Sequence, residues 1–339
     1  MIPRSADWKN ALADAVRDPA ELLALLGLPR ELLPGARRAA AAFPLRVPRG
    51  YVARMRPGDP EDPLLRQVLP LDAETQPAPG YRTDPLAEVG SSPCPGLLHK
   101  YRGRALLVTT GACAVHCRYC FRRHFPYADD NPASDDWQAA LDYLHGDPGL
   151  HEVILSGGDP LLLDDRRLAE LVERLAALPH LRRLRIHSRL PVVLPERVDA
   201  ALLAWLTAAP VPVVWVVHSN HANELDAEVG AALAALREGG ATLLNQSVLL
   251  RGVNDTPEAL ARLSEALFAR GVLPYYLHLL DRVEGAAHFE VPEGQALALR
   301  DRLKRALPGY LVPRLVREQP GWPHKTELLG PGEGPLAGA

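Results

Sequence analysis

Cys113-Ala-Val-His-Cys117-Arg-Tyr-Cys120 gathers three of the chain's four cysteines into eight residues, with the spacing C-x3-C-x2-C. Three thiolates on one short loop can each hold an iron of a cubane iron-sulfur cluster, leaving the fourth iron open to a small molecule. Cys94, between Pro93 and Pro95, offers no second metal-type spacing. A zinc site completed by His116 and His124 uses the same thiolates and stays open as the alternative. Tyr119, directly before the third cysteine, favours the cluster.

Farther along, Ser156-Gly157-Gly158-Asp159-Pro160 follows an apolar run and precedes a helix-like one. Its glycines permit close backbone approach and its peptide groups can bond a polar ligand; the same glycines also suit a tight turn made for geometry alone. His218 and His221 are spaced three apart on a loop, which is weak support for a metal pair. Lys325, within Pro320-Gly-Trp-Pro-His-Lys325-Thr326, reads by itself as a solvated lysine.

Positioning such residues requires a scaffold, and the pattern of the chain supplies one. Short apolar runs at Ala105–Thr110, Glu152–Ser156, Arg183–His187, Val211–His218, Thr242–Ser247 and Val272–Leu280 alternate with helix-like segments. Those segments are Asp135–Leu144, Asp164–Ala177, Pro195–Ala208, Asn223–Glu238, Pro257–Arg270 and Pro292–Ala306. Six strand-then-helix units imply parallel strands with right-handed crossovers, two units short of a closed barrel. The expected fold is α/β, a partial, open (βα)6 TIM-like barrel with a helical N-terminal extension and a short C-terminal segment. The division is 1–98 for the extension, 99–307 for the core and 308–339 for the last segment. In the extension, Ser5 and Asp18 mark helix starts, Arg30–Phe43 continues in helix formers, and the proline-broken stretch from Arg46 to Gly90 is expected to wrap in extended form. In such barrels chemistry collects at the carboxyl ends of strands, where the cysteine loop, Ser156–Asp159, His187–Arg189, His218–His221, Asn245–Ser247 and Asp281 fall, while Lys325 lies in a loop after the last unit.

With 339 residues, 47% hydrophobic and 23% charged, the chain has the composition of an ordinary globular protein. A net charge of −3 argues against a nucleic-acid footprint, and no apolar stretch reads as a signal peptide or membrane span. Cytoplasm is the expected location, where clustered cysteines serve metals more often than disulfides.

The cysteine loop resembles the radical S-adenosylmethionine superfamily. The resemblance implies a 4Fe-4S cluster whose open iron takes the amino and carboxylate groups of S-adenosylmethionine, which is then cleaved to a 5′-deoxyadenosyl radical. Together with Arg189-Leu-Pro-Val-Val-Leu-Pro195, His218-Ser-Asn-His-Ala-Asn-Glu224, Asn245–Asp255 and Pro274-Tyr-Tyr-Leu-His-Leu-Leu-Asp281, the motifs over roughly 95–326 look like the lysine 2,3-aminomutase family.

From that likeness follow the expected roles. Cys113, Cys117 and Cys120 hold the cluster; Tyr119, Gly157, Gly158, Asp159, His218 and Gln246 contact S-adenosylmethionine. Lys325 carries pyridoxal 5′-phosphate, with Arg104 and Lys100 near its phosphate; Lys100 stands where an arginine is common. Arg122 grips the substrate carboxylate, which suits a planar guanidinium. Asp281 and Glu318 pair with the ε-ammonium of L-lysine. Glu318 is one methylene longer than the aspartate usual in catabolic forms, and Trp322, Pro323 and His324 replace a glycine run before Lys325.

The implied activity is an isomerase that moves the α-amino group of L-lysine to C3. Asp62–Leu69, Asp84-Pro-Leu, Pro95–Tyr101, Cys120–Tyr127 and the short stretch after Lys325 look most like the subgroup that makes (R)-β-lysine for attachment to elongation factor P by a ligase. An electron donor such as flavodoxin or ferredoxin is implied; no nucleic acid or membrane partner is. Two alternatives remain: a glutamate or other amino-acid 2,3-aminomutase, and a non-catalytic zinc or iron-sulfur module in a translation complex.

Overall fold

The computed structural model describes residues 7–127 and 137–330. Four helices open the chain: α1 Trp8–Ala13, α2 Pro19–Leu25, α3 Leu33–Ala42 and α4 Arg49–Val52. Asp7 caps α1 by accepting from the Lys9 N–H at 2.9 Å, and Asp18 caps α2, with Pro19 opening its first turn. Ser5, read as the first helix start, and Asp135, read as another, lie outside the described residues. Residues 53–96 then wrap with only single helical turns, yet Leu64, Leu65 and Val68 on this wrap are fully buried. Each such burial stabilises by about 1.5–3 kcal/mol, which is why an irregular segment stays in place.

One sheet of nine strands follows, ordered as in the sequence. The strands are β1 Leu97–Tyr101, β2 Arg104–Thr110, β3 Glu152–Gly157, β4 Arg183–Ser188, β5 Val213–His218, β6 Thr242–Val248, β7 Leu273–His278, β8 Arg314–Arg317 and β9 Thr326–Glu327. β2 through β8 run parallel, while β1 and β9 are antiparallel edges. The edges do not pair with each other among the described residues, so the barrel is open.

After β2 to β7 come the crossover helices α5 Gln138–Gly146, α6 Asp165–Ala176, α8 Ala200–Thr207, α9 Ala227–Glu238, α10 Pro257–Phe268 and α11 Glu293–Ala306; α7 Leu190–Val193 is a single turn behind β4. On α6, Leu168, Leu171, Val172 and Leu175 recur at helical spacing and are buried, the stripe that seats the helix on the sheet. The six expected units are present, with two helix starts moved. Asp199 and Asp226 accept from N–H groups three residues on, so α8 and α9 begin at those caps and not at Pro195 or Asn223. The sequence pattern did not anticipate β8, a seventh parallel strand, or the two antiparallel edges.

Side-chain alternation decides what enters the barrel. Leu184 and Ile186 on β4 are buried, whereas Arg185 and His187 line the interior cavity. Trp215 on β5 stacks on Trp205 of α8 at 6.3 Å, which leaves His218 on the inner face.

Candidate functional site

A cavity of about 1050 Å³ occupies the barrel, and all fifteen residues singled out from the sequence line it. It spans the strands from end to end, because Arg104 begins β2 while the cysteine loop and Arg122 lie beyond its other end.

The cysteine loop is tied to the N-terminal wrap. Arg118, fully buried, grips Glu74 with two hydrogen bonds of 2.8 and 2.6 Å and donates to the Phe43 carbonyl at 2.8 Å. Burial pushes the Cys113 thiol well up, reinforced by Cys120, Asp159 and Cys117; burial, then Cys117, pushes Cys120 up to about 11. Neighbouring, half-buried thiols that resist ionisation on their own become thiolates readily against a cation, so the donor set fits thiolate ligation of an iron cluster. Among the described residues no three His, Cys, Asp or Glu side chains converge as a single metal ion requires. His116 Nδ1 lies 2.8 Å from the Pro44 carbonyl and His124 Nε2 3.4 Å from that of Glu284, and neither ring converges with the cysteines into such a group.

Gly157 and Gly158 bring the end of β3 against this loop. Gly157 has φ +121°, and a Cβ there would meet the Thr110 carbonyl oxygen at 2.6 Å; at Gly158 it would meet that of Ala112 at 2.2 Å. Only glycine allows the backbone bonds Gly158 N–H to Thr110 O and Asp159 N–H to Ala112 O, 2.7 and 2.8 Å. The Asp159 carboxylate is engaged by the protein itself, accepting from Ser188 Oγ and the N–H groups of Leu161, Arg189 and Leu190. It pins the turn after β4, and burial pushes its carboxyl up to about 6.

Among the described residues, the buried polar atoms His187 Nε2, His218 Nε2, Gln246 Oε1 and His278 Nε2 on this wall have no hydrogen-bond partner. Buried polar atoms are normally bonded, so these fit the polar edge of a bound organic ligand. Burial, with the charges of Arg189, Arg122 and Lys325, lowers His218 to about 4, leaving it neutral at physiological pH. His187 and His278 were not among the site residues read from the sequence.

The charged residues form a chain of alternating sign. Arg122 meets Glu88 through Nε and Nη2 at 2.6 and 3.0 Å, Lys100 bridges Glu88 and Glu318 at 3.1 Å each, and Lys325 closes on Glu318. Burial would raise Glu318, but Lys325 and Lys100 hold its carboxyl far below the usual range. Withdrawal from water, then Glu318, pushes the nearby Asp281 carboxyl up to about 7. Glu88, 4% exposed, was missed; its available mark was Asp84, whose carboxylate accepts from the Glu88 and Val89 N–H groups and sets the turn. Arg122 keeps only longer contacts at Nη1, 3.3 Å to Ser156 Oγ and 3.4 Å to the Gly157 carbonyl. At the other end, Arg104 stacks on Tyr101 at 4.5 Å and Arg314 also lines the cavity, while Arg185 is paired with Glu152; the arginines outnumber this acid, which suits an anionic group. Between the two ends, the Lys325 amine is placed where it can condense with a carbonyl compound held in the cavity.

The model of the radical SAM superfamily matches residues 107–214. The chain is 53% identical to an L-lysine 2,3-aminomutase of Escherichia coli K12, over 96% of this chain and 95% of that protein. It is 46% identical to one of Haemophilus influenzae, over 96% of each, and 36% identical to one of Acetoanaerobium sticklandii, over 95% of this chain and 78% of that one.

Proposed function

Because the chain belongs to the lysine 2,3-aminomutase family of radical S-adenosylmethionine enzymes, we propose that it converts L-lysine to β-lysine by moving the α-amino group to C3. The observation that carries the reading is one cavity holding three thiols, an amine at Lys325, a guanidinium at Arg122 and paired acids at Asp281 and Glu318.

When bound, the 4Fe-4S cluster with S-adenosylmethionine would supply radical chemistry at C3, and pyridoxal 5′-phosphate would supply a π-system for the migrating nitrogen. Cys113, Cys117 and Cys120 hold the irons. The Gly157-Gly158 turn, with Tyr119, His218 and Gln246, would line S-adenosylmethionine, and Asp159 would act there by holding the turn after β4. Lys325 anchors the coenzyme, with Arg104 and Lys100 toward its phosphate. Arg122 offers its Nη1 edge to the substrate carboxylate, since Glu88 holds the other two nitrogens. Asp281 and Glu318 take the ε-ammonium, so lysine is held at both ends and the reacting carbons are kept from side reactions. An amino acid without a distal cation would leave Asp281 unmatched, since Glu318 already has Lys100, and a distal carboxylate would add like charge beside it, which disfavours glutamate as substrate.

The product is (R)-β-lysine, destined for elongation factor P through a ligase, a reading supported by the subgroup likeness of Asp62–Leu69, Pro95–Tyr101 and Cys120–Tyr127. A flavodoxin or ferredoxin serves as electron donor, and the enzyme works in the cytoplasm. No described helix is long and apolar enough to cross a membrane. Residues 1–98, 99–307 and 308–339 serve as extension, core and lysine-bearing segment, with β1 crossing the first boundary and β8 joining the core sheet from beyond the second.

Anaerobic reconstitution, reduction and incubation with S-adenosylmethionine and L-lysine is expected to give (R)-β-lysine by chiral chromatography. Lys325→Ala should abolish it. Turnover of L-glutamate in preference to lysine, or absence of any β-amino acid, overturns the assignment.

A further inference from the structure

One buried guanidinium beside the cysteine loop has no part in the lysine chemistry. Arg189 follows β4 directly, is 6% exposed, and has its main-chain N–H fixed by Asp159 at 2.8 Å. Its Nη1 lies 2.7 Å from Cys117 Sγ. Its Nη2 donates to Gln67 Oε1 at 2.6 Å, Glu224 Oε2 at 3.1 Å and the Tyr51 hydroxyl at 3.3 Å. The aromatic faces of Tyr51 and Tyr119 both lie 5.6 Å from the guanidinium carbon.

The partners behind Arg189 are themselves locked. Gln67 and Glu224 are fully buried, and Gln67 Nε2 donates to Glu224 Oε1 at 3.1 Å. Gln67 Oε1 also accepts from Asn220 Nδ2 at 2.9 Å. The side chain therefore has one orientation, and in it a permanent cation and an N–H point at a ligand sulfur.

Hydrogen bonds to the sulfurs and local net charge set the potential of a protein-held iron-sulfur cluster. A reduced cluster carries one more negative charge than an oxidised one, so a donor and a positive charge at Cys117 favour reduction. A buried carboxylate close behind works in the other direction. We propose that Arg189 raises the reduction potential of the cluster through Cys117, that Glu224 tempers this as its counter-charge, and that Gln67 and Tyr51 are positioning residues that hold the guanidinium on the sulfur. The inference rests on the cluster alone and is independent of the substrate.

The test is an EPR-monitored redox titration of the reconstituted full chain, without S-adenosylmethionine or lysine, with iron and sulfide counted for each variant. Arg189→Gln is expected to lower the midpoint potential, and Glu224→Gln, which keeps the shape and removes the charge, to raise it. Opposite signs are the signature of electrostatic tuning; a general loosening of the loop moves both the same way. Parent-like midpoints in both loaded variants, or shifts of one sign, overturn the proposal. Should either variant fail to load, the parent protein grown with arginine labelled with 15N in the guanidinium alone gives the decision, since the backbone N–H of Arg122 also bonds to Cys120. Pulsed EPR of its reduced cluster is expected to show a 15N hyperfine coupling, and absence of any coupling overturns the proposal.

Discussion

Glu88 shows how much of a site can be set by a residue that touches no ligand in the proposed chemistry. Its carboxylate neutralises Arg122 side-on and shares Lys100 with Glu318, so these two cations of the cavity wall are held from behind. Removing one partner of a buried pair costs more than the pair contributes, because the other charge is left in low dielectric. Glu88→Ala is therefore expected to destabilise by about 3–5 kcal/mol, read as a fall in midpoint on chemical unfolding; a change within about 0.5 kcal/mol, the range of an ordinary surface substitution, contradicts the burial argument. Asp281 carries a pH dependence. Its folded carboxyl titrates near about 7 against 3.8 ordinarily, so it favours the fold fully below about 4, and that contribution is lost as pH rises through about 7. Holding an ammonium needs the carboxylate, so kcat/KM for lysine should rise through about pH 7. Asp281→Asn should remove that limb and raise KM by about 30-fold, on the order of 2 kcal/mol. The limb persisting in the variant would assign it to another group. At this scale the sequence was informative where residue types cluster locally, as in the cysteine loop. Glu88, His187 and His278 escaped because each acquires its surroundings from segments distant in sequence, and no spacing encodes them.

Elements deliver these side chains through backbone contacts that tolerate no substituent. The β3 turn touches the cysteine loop through Gly158, whose added Cβ would sit 2.2 Å from a carbonyl oxygen that cannot swing aside as a side chain can. Gly158→Ala must part the two loops and is expected to lower iron bound per chain severalfold after reconstitution. Gly90→Ala, at a site with nothing within 4 Å of the new Cβ, should load normally and serves as the control. Equal iron content in the two variants would show that the close approach is dispensable. The strands and helices of the six units were legible because alternation and helical spacing are written into runs of five residues or more. β8 has four residues and β9 two, too few to show a period, and their pairing is imposed by β7 and by the turn between them. The starts of α8 and α9 were misplaced because proline and asparagine suggested helix openings that the aspartate caps took over.

Across the whole molecule, the open barrel has two unpaired edges, and they are joined by charge. Lys100 belongs to β1 at one edge, and Glu318 directly follows β8 beside the other; their 3.1 Å ion pair links ends of the sheet that share no backbone hydrogen bond among the described residues. Glu88 from the wrap and Lys325 before β9 extend the link on either side. Lys100 keeps 15% of its side chain exposed and Glu318 13%, so salt screens this seam far less than a surface pair. Lys100→Met retains the aliphatic stem and deletes the charge. Glu88 keeps Arg122 and Glu318 keeps Lys325, so the stability loss should be smaller than for Glu88→Ala, about 1–3 kcal/mol. The informative readout is where protection is lost. Amide hydrogen exchange should quicken together in β1 and in β8–β9 while α6 and the β4–β5 centre of the sheet keep their protection. Quickening at one edge alone would mean that the two edges are held separately, and that the cavity owes its closure to the wrap instead of to this pair.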